Sequence, residues 1–160
     1  MERGKEMEEA LDDWSDVIVF GAHPRAGGWI VRPSAYALVL DDEGRLAVVE
    51  TSQGTFLPGG GIEPGEQIDE AIRREALEEC GLIIEPGGWT VRAIQFVYSS
   101  LEDKAFEKRS IFKEGIITGV NSERLEPDHN VVWATWEQAA TMLSHESQCW
   151  AIDQWRTVKA

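Results

Sequence analysis

Residues Leu57–Gly65 hold four glycines and two prolines and run directly into Glu66–Cys80, where apolar residues recur at helical spacing. This junction constrains the fold more than any other part of the chain. A run so poor in side chains contributes nothing to a core pattern. Its glycines instead let the backbone approach a partner closely. The stretch that follows reads as a helix. Glu66, Asp69 and Glu70 suit the positive start of its dipole. Gly81 supplies a left-handed stop directly after Cys80.

At 100° per residue, Ile68, Ala71 and Ile72 share one side of that helix, the stripe expected to be buried. Continuing the stripe leads to Glu75 and Glu79, with Glu78 one step beside them. A charge run is ordinarily a solvated face, but this one prolongs the apolar stripe. Like charges four residues apart destabilise an isolated helix by about 0.2–0.5 kcal/mol per pair. A divalent cation reverses that penalty. Hard cations such as Mg²⁺ bind carboxylate oxygens, substrate phosphates and water together.

The overall charge points the same way. With 29 acidic and 15 basic side chains, the formal charge is -14. Such a surface repels nucleic-acid polymers, whose binding depends on Lys and Arg neutralising phosphates. Handling any phosphate then calls for cations that invert the local sign.

The remaining pattern is mixed. Asp16–Phe20, Ala35–Leu40, Arg45–Glu50, Trp89–Ser99, Phe106–Thr118 and Val131–Trp136 read as strands. Asp41–Gly44 has turn chemistry and makes Ala35–Glu50 a hairpin. Leu57–Gly65 and Glu123–Asn130 read as loops. Glu137–Leu143 and Glu146–Val158 read as helices, the first starting near Thr135 or Trp136 and the second capped by Ser144. Strands interleaved with a few helices predict an α/β fold, a mixed sheet with helices on both faces. No linker or repeat divides the 160 residues, so a single domain is expected, with residues 1–15 a helical or flexible N-terminal extension. No apolar run approaches a membrane span and Met1–Asp16 lacks the apolar core of a signal peptide, so the expected location is the cytoplasm. Cys80 and Cys149 stand in no CxxC pattern, which speaks against a zinc site or a disulfide framework.

From Gly60 to Leu82 the chain resembles the Nudix box, G-x5-E-x7-R-E-U-x-E-E-x-G-U, where U is usually aliphatic. Gly60, Glu66, Arg74, Glu75, Ala76, Glu78, Glu79, Gly81 and Leu82 fill its defined positions across 23 residues. The resemblance implies the family's α/β/α sandwich and a Mg²⁺- or Mn²⁺-dependent pyrophosphohydrolase acting on a nucleoside diphosphate linked to a group X. It implies that Glu75, Glu78 and Glu79 ligate the metal with the Gly59 carbonyl, and that Arg74 and Glu66 orient the loop against the helix. Similar sequences carry a glutamate before the last strand, where this chain has Asn130. The base is therefore open among Glu126, Asp128 and Glu114.

Further expectations are residue-by-residue. Tyr98, sixteen residues beyond Leu82, resembles a sub-pattern of Nudix dinucleoside polyphosphate hydrolases. Strand packing is the ordinary role of such a tyrosine. Trp29, Tyr36, Phe56 and Phe96 are candidates to stack on a base, and Arg32, Lys108 and Arg109 to meet phosphates. Arg32, Phe56 and Tyr98 are the substrate residues chosen. His129 and His145 have no partner at ligand spacing. His23-Pro24 matches only a fragment of a related isomerase motif. The competing function is a nucleotide-sensing module without turnover, which does not need three box glutamates. Seven tryptophans are a high load for one small core. Nudix enzymes are frequently homodimers, so Trp14, Trp29 and Trp150 are candidate interface residues.

Overall fold

The computed structural model describes residues 13–21, 28–123 and 126–159. The expected N-terminal extension lies almost wholly outside the described residues, as does His23-Pro24. The strands are β1 (Ile18–Phe20), β2 (Trp29–Val39), β3 (Leu46–Thr51), β4 (Gly54–Phe56), β5 (Gly59–Gly61), β6 (Leu82–Ser99), β7 (Lys104–Val120) and β8 (Asn130–Ala134). The helices are α1 (Ile68–Cys80), α2 (Trp136–Met142) and α3 (Glu146–Lys159).

One sheet runs β1-β6-β7-β2-β5 and a smaller one β4-β3-β8. The first is mixed. β1 lies parallel to β6 and β2 parallel to β7, while β6–β7 and β2–β5 are antiparallel. Alternation along β2 shows why helices cover both faces. Ala35, Ala37 and Val39 pack with Ala71, Ile72 and Ala76 of α1. Tyr36 and Leu38 pack instead with Ala139 of α2 and with Ala151, Ile152 and Trp155 of α3. A strand buried on both sides belongs to the middle layer of an α/β/α sandwich, the fold class expected.

Several elements differ from the sequence pattern. The glycine segment is not all loop, since Gly59–Gly61 forms β5, paired with Ser34–Tyr36. Glycine carries no side chain to signal a strand, yet its backbone can still join a ladder. At Gly59, with φ of 154°, a Cβ would lie 2.2 Å from the Ala35 carbonyl oxygen, so only glycine fits. The predicted strands Ala35–Leu40 and Trp89–Ser99 fall at the C-terminal ends of the longer β2 and β6, with Leu40 just past β2, and Phe106–Thr118 lies inside β7. β6 starts immediately after Gly81, with irregular register at Ile83/Ile84 and Pro86/Thr90. β8 ends at Ala134, and Trp136 begins α2 behind a Thr135–Gln138 capping box. Ser144 does not cap α3. Its hydroxyl accepts the Thr55 amide at 2.9 Å, and the His145 carbonyl takes the first amides of the helix.

Candidate functional site

α1 delivers the carboxylates. Gln67 takes the N-cap position in an extended conformation, so the helix begins at Ile68 and not at Glu66. That leaves Glu66 free to turn back, where it accepts the Glu63 amide at 3.0 Å. The far end closes at Gly81, left-handed at φ 64°. Ala71, Ile72, Ala76 and Glu79 form the buried stripe. The helical period thus carries a carboxylate, 7% exposed, into a position where apolar residues precede it.

Arg74 ties these groups together. Its Nε and Nη2 donate to the two Glu66 oxygens at 2.7 and 2.9 Å, a bidentate pair. Nη2 also donates to the Gly61 carbonyl at 3.1 Å, fixing β5 to the helix. Nη1 reaches Glu75 at 2.9 Å and Glu78 at 3.4 Å. The Glu66 hydrogen bonds raise the Arg74 pKa, and Arg74 in turn holds Glu66 below the usual carboxylate range. Arg74 is therefore no solvated helix residue; it is the crosslink between loop and helix.

Glu79 and Glu75 lie beneath β5. Glu79 Oε1 accepts the Gly59 amide at 2.7 Å. Gly60 passes so close to Glu75 that a Cβ would stand 2.8 Å from its Oε1. Burial pushes the Glu79 carboxyl up to about 8 against the Gly59 hydrogen bond, and Glu75, Glu126 and Glu78 add repulsion. Glu75 is raised as well, by burial first, with Arg74 opposing.

Two residues from the loop before β8 complete the cluster. The Glu126 amide donates to the Glu78 carbonyl at 2.9 Å. His129 Nε2 stands 3.5 Å from Glu79, and its Nδ1 lies 2.9 Å from Glu126 Oε2 without hydrogen-bond alignment. Linear spacing hid His129, because its neighbours are on α1 and one turn back. Asn130 faces Glu50 instead, at 3.4 Å. Glu114 is far from the cluster, accepting from Trp155 Nε1 at 3.2 Å in a second cavity lined also by Asp41 and Lys159. Asp128 is exposed.

Of the carboxylates, Glu79 opens into a pocket of about 220 Å³. Its walls include Glu79, Gly59–Gly61, His129, Tyr36, Phe56, Arg32 and Lys108. Arg32 and Phe56 thus share a pocket with Glu79. Tyr98 is not among the lining residues; it sits at the end of β6, exposed, with its hydroxyl against Asp103. Trp29 and Phe96 pack edge-to-face on each other at 4.9 Å. Arg109 pairs with Glu107 and lies near Trp14.

Among the described residues, no three carboxylate, imidazole or thiol groups converge on a ready-made metal cage. Arg74 explains this in part, occupying oxygens of Glu75 and Glu78 that a cation could take. The donor set still fits a hard cation. Four mutually repelling carboxylates, two of them raised by burial, stand beside one guanidinium that also neutralises Glu66. A divalent ion bound by oxygen would relieve that repulsion.

A model described as NUDIX domain matches residues 31–152, and the chain belongs to the Nudix family. The 8-oxo-dGDP phosphatase NUDT18 of Mus musculus is 40% identical over 55 residues, covering 31% of this chain and 17% of its own. The nucleoside triphosphatase NudI of Salmonella schwarzengrund is 51% identical over 55 residues, covering 29% and 39%. The chain thus spans well under half the length of these curated relatives. Among solved structures, a NUDIX hydrolase from Nitrosomonas europaea superposes with a TM-score of 0.63 at 20% identity, covering 81% of this chain and 91% of that one. A MutT protein from Methanosarcina mazei gives 0.59 at 22% identity, covering 80% and 96%. These structural likenesses concern the fold.

Proposed function

We propose that this protein is a metal-dependent pyrophosphohydrolase. It cleaves the phosphoanhydride of a nucleoside diphosphate linked to X by attack of water on phosphorus. The observation that carries the reading is the cluster of α1 carboxylates packed against β5, of which Glu79 borders a pocket whose walls also hold Arg32, Lys108, Phe56 and Tyr36. Glu75, Glu78 and Glu79 would hold Mg²⁺ or Mn²⁺. When bound, such an ion neutralises phosphate charge and lowers the pKa of water. The chain's own residues do the rest. Arg74 holds loop and helix in register through Glu66 and the Gly61 carbonyl. Glu126 and His129 stand beside Glu79, where a proton from the attacking water can be received. Arg32 and Phe56 offer a charged and an aromatic contact to the nucleotide. No GxSxG elbow or comparable nucleophile motif is present, so a covalent enzyme intermediate is not expected. The NudI relatives are described as nucleoside triphosphatases, which supports a nucleotide substrate.

The protein is further proposed to act in the cytoplasm as a homodimer on small nucleotides. No described helix is long and apolar enough to cross a membrane. Repulsion of polymers by a charge of -14 supports the small-molecule reading. A turnover screen over nucleoside triphosphates, their oxidised forms, nucleotide sugars, dinucleoside polyphosphates and ADP-ribose tests the activity, run with Mg²⁺ or Mn²⁺ and with excess chelator. Release of a nucleoside monophosphate from at least one substrate, abolished by chelator, is expected. Nucleotide binding without turnover across the whole set would favour the sensing module instead.

A further inference from the structure

The parallel pairing of β2 and β7 sets Arg32 directly beside Lys108. Like charges on neighbouring strand positions repel, and such a pair costs stability in the protein alone. A structural explanation would need an acid between them. Arg32 has one at its outer edge, Glu102 at 3.6 Å, half exposed and screened by solvent. Arg32 also stacks on the Phe106 ring at 4.0 Å, which fixes its guanidinium plane. Lys108 makes no ion pair among the described residues. Its other register neighbour is Gln95, whose side-chain oxygen is taken by the Ser147 amide at 3.0 Å. Nearby, His145 rests on Phe56 with ring centroids 5.0 Å apart and adds no negative charge. Burial pushes His145 down to about 4 with Lys108 contributing, and burial and Arg32 lower Lys108 itself against the opposing charge of Glu102. Two adjacent cations therefore share a pocket with Glu79 at its other end, and the acid nearest them, Glu102, stands at the outer edge and forms an ion pair with Arg32, not with Lys108.

Their place along the strand matters. The glutamate end of the pocket is marked by Gly59, which pairs with Tyr36. Arg32 lies four residues back along β2, about 13 Å at roughly 3.3 Å per residue. A polyphosphate anchored at the Glu79 end and met by two long side chains can bridge that span. A bare diphosphate with an uncharged X would leave Lys108 without an ion-pair partner and Arg32 with Glu102 alone.

We propose that Arg32 and Lys108 form an anion seat that selects substrates bearing a charged group beyond the scissile diphosphate, a third phosphoryl as in a nucleoside triphosphate, over nucleoside diphosphates whose X is uncharged. This rests on the pyrophosphohydrolase reading for its substrate, but not for its binding. The test compares wild type with Lys108→Met and Lys108→Arg, using a nucleoside triphosphate and a nucleoside diphosphate hexose of the same base. Equilibrium binding of the α,β-methylene triphosphate is measured in parallel. Methionine is expected to raise the triphosphate KM, and to weaken analogue binding, by about tenfold or more. kcat and the hexose KM should stay within about threefold, and arginine should restore binding. The methionine variant should melt no lower than wild type, because a repulsion has been removed. Equal losses on both substrates, no loss on either, or failure of arginine to restore binding would overturn the seat. Analogue binding that depends on Lys108 in a protein that turns over nothing would keep the seat and refute the hydrolase.

Discussion

Replacing Glu79 with glutamine should stabilise the metal-free protein in alkali while removing its response to metal. The carboxyl is buried, 7% exposed, and accepts the Gly59 amide at 2.7 Å. Glutamine keeps both the shape and that acceptor. The folded-state pKa is pushed from the ordinary 4.5 up to about 8, by burial first and then by its carboxylate neighbours. A raised carboxyl favours the protonated native state. Its contribution is fully present below about 4.5 and is lost as pH rises through about 8. At about 1.4 kcal/mol per pH unit, the interval from 4.5 to about 8 sets a ceiling near 5 kcal/mol. Relaxation and an effective dielectric nearer 20 reduce this to about 2 kcal/mol, or roughly 4–8 °C in Tm for a domain of this size. Thermal melts in chelator from pH 5 to 9 measure it. Wild type should lose stability as pH rises from about 5 to about 8 and level off above that, while Glu79→Gln stays flatter and melts higher at pH 9. Adding Mg²⁺ at pH 8 should raise the wild-type Tm and leave the variant nearly unchanged. A variant that melts lower than wild type in chelator at pH 9, or gains as much from Mg²⁺, would refute the reasoning.

Three further outcomes follow from the same geometry. Arg74→Lys cannot reproduce the bidentate Glu66 pair and the Gly61 contact together, so urea denaturation should show a loss of about 2 kcal/mol; a midpoint equal to wild type would contradict the crosslink. Gly59→Ala places a Cβ 2.2 Å from the Ala35 oxygen and should cost about 2 kcal/mol or more in the same assay, with an unchanged midpoint showing that β5 can move aside. Sedimentation at micromolar concentration should show a homodimer weakened by Trp14→Ala or Trp150→Ala, whereas a clean wild-type monomer would leave those half-buried rings to their contacts with Arg92 and Phe20.

The helix was legible because period, acidic start and glycine stop agreed, and Ala71, Ile72 and Glu79 are buried as the stripe requires. The layer order followed from strands alternating with helices. Two features escaped for physical reasons. β5 is made of three glycines, which carry no periodicity to read. The ends of β6 and β7 pair chiefly with each other and leave residues such as Ile83 and Ile116 exposed, so burial alternation fails there. At the site, the box residues could be named in advance because they share one short segment. His129 could not, since its approach to Glu79 depends on how the loop after β7 returns across α1. Neither could the adjacency of Arg32 and Lys108, which comes from a parallel pairing between strands distant in sequence.

The central claim, that these carboxylates direct water onto a phosphoanhydride, is tested most directly by a single turnover in ¹⁸O-water. The substrate should be whichever nucleoside diphosphate derivative turns over fastest with Mg²⁺. One ¹⁸O is expected on a phosphorus product, either the nucleoside monophosphate or the phosphorylated X (pyrophosphate from a triphosphate). Label on a sugar or other carbon, or a preference for releasing orthophosphate from simple monoesters, would contradict it.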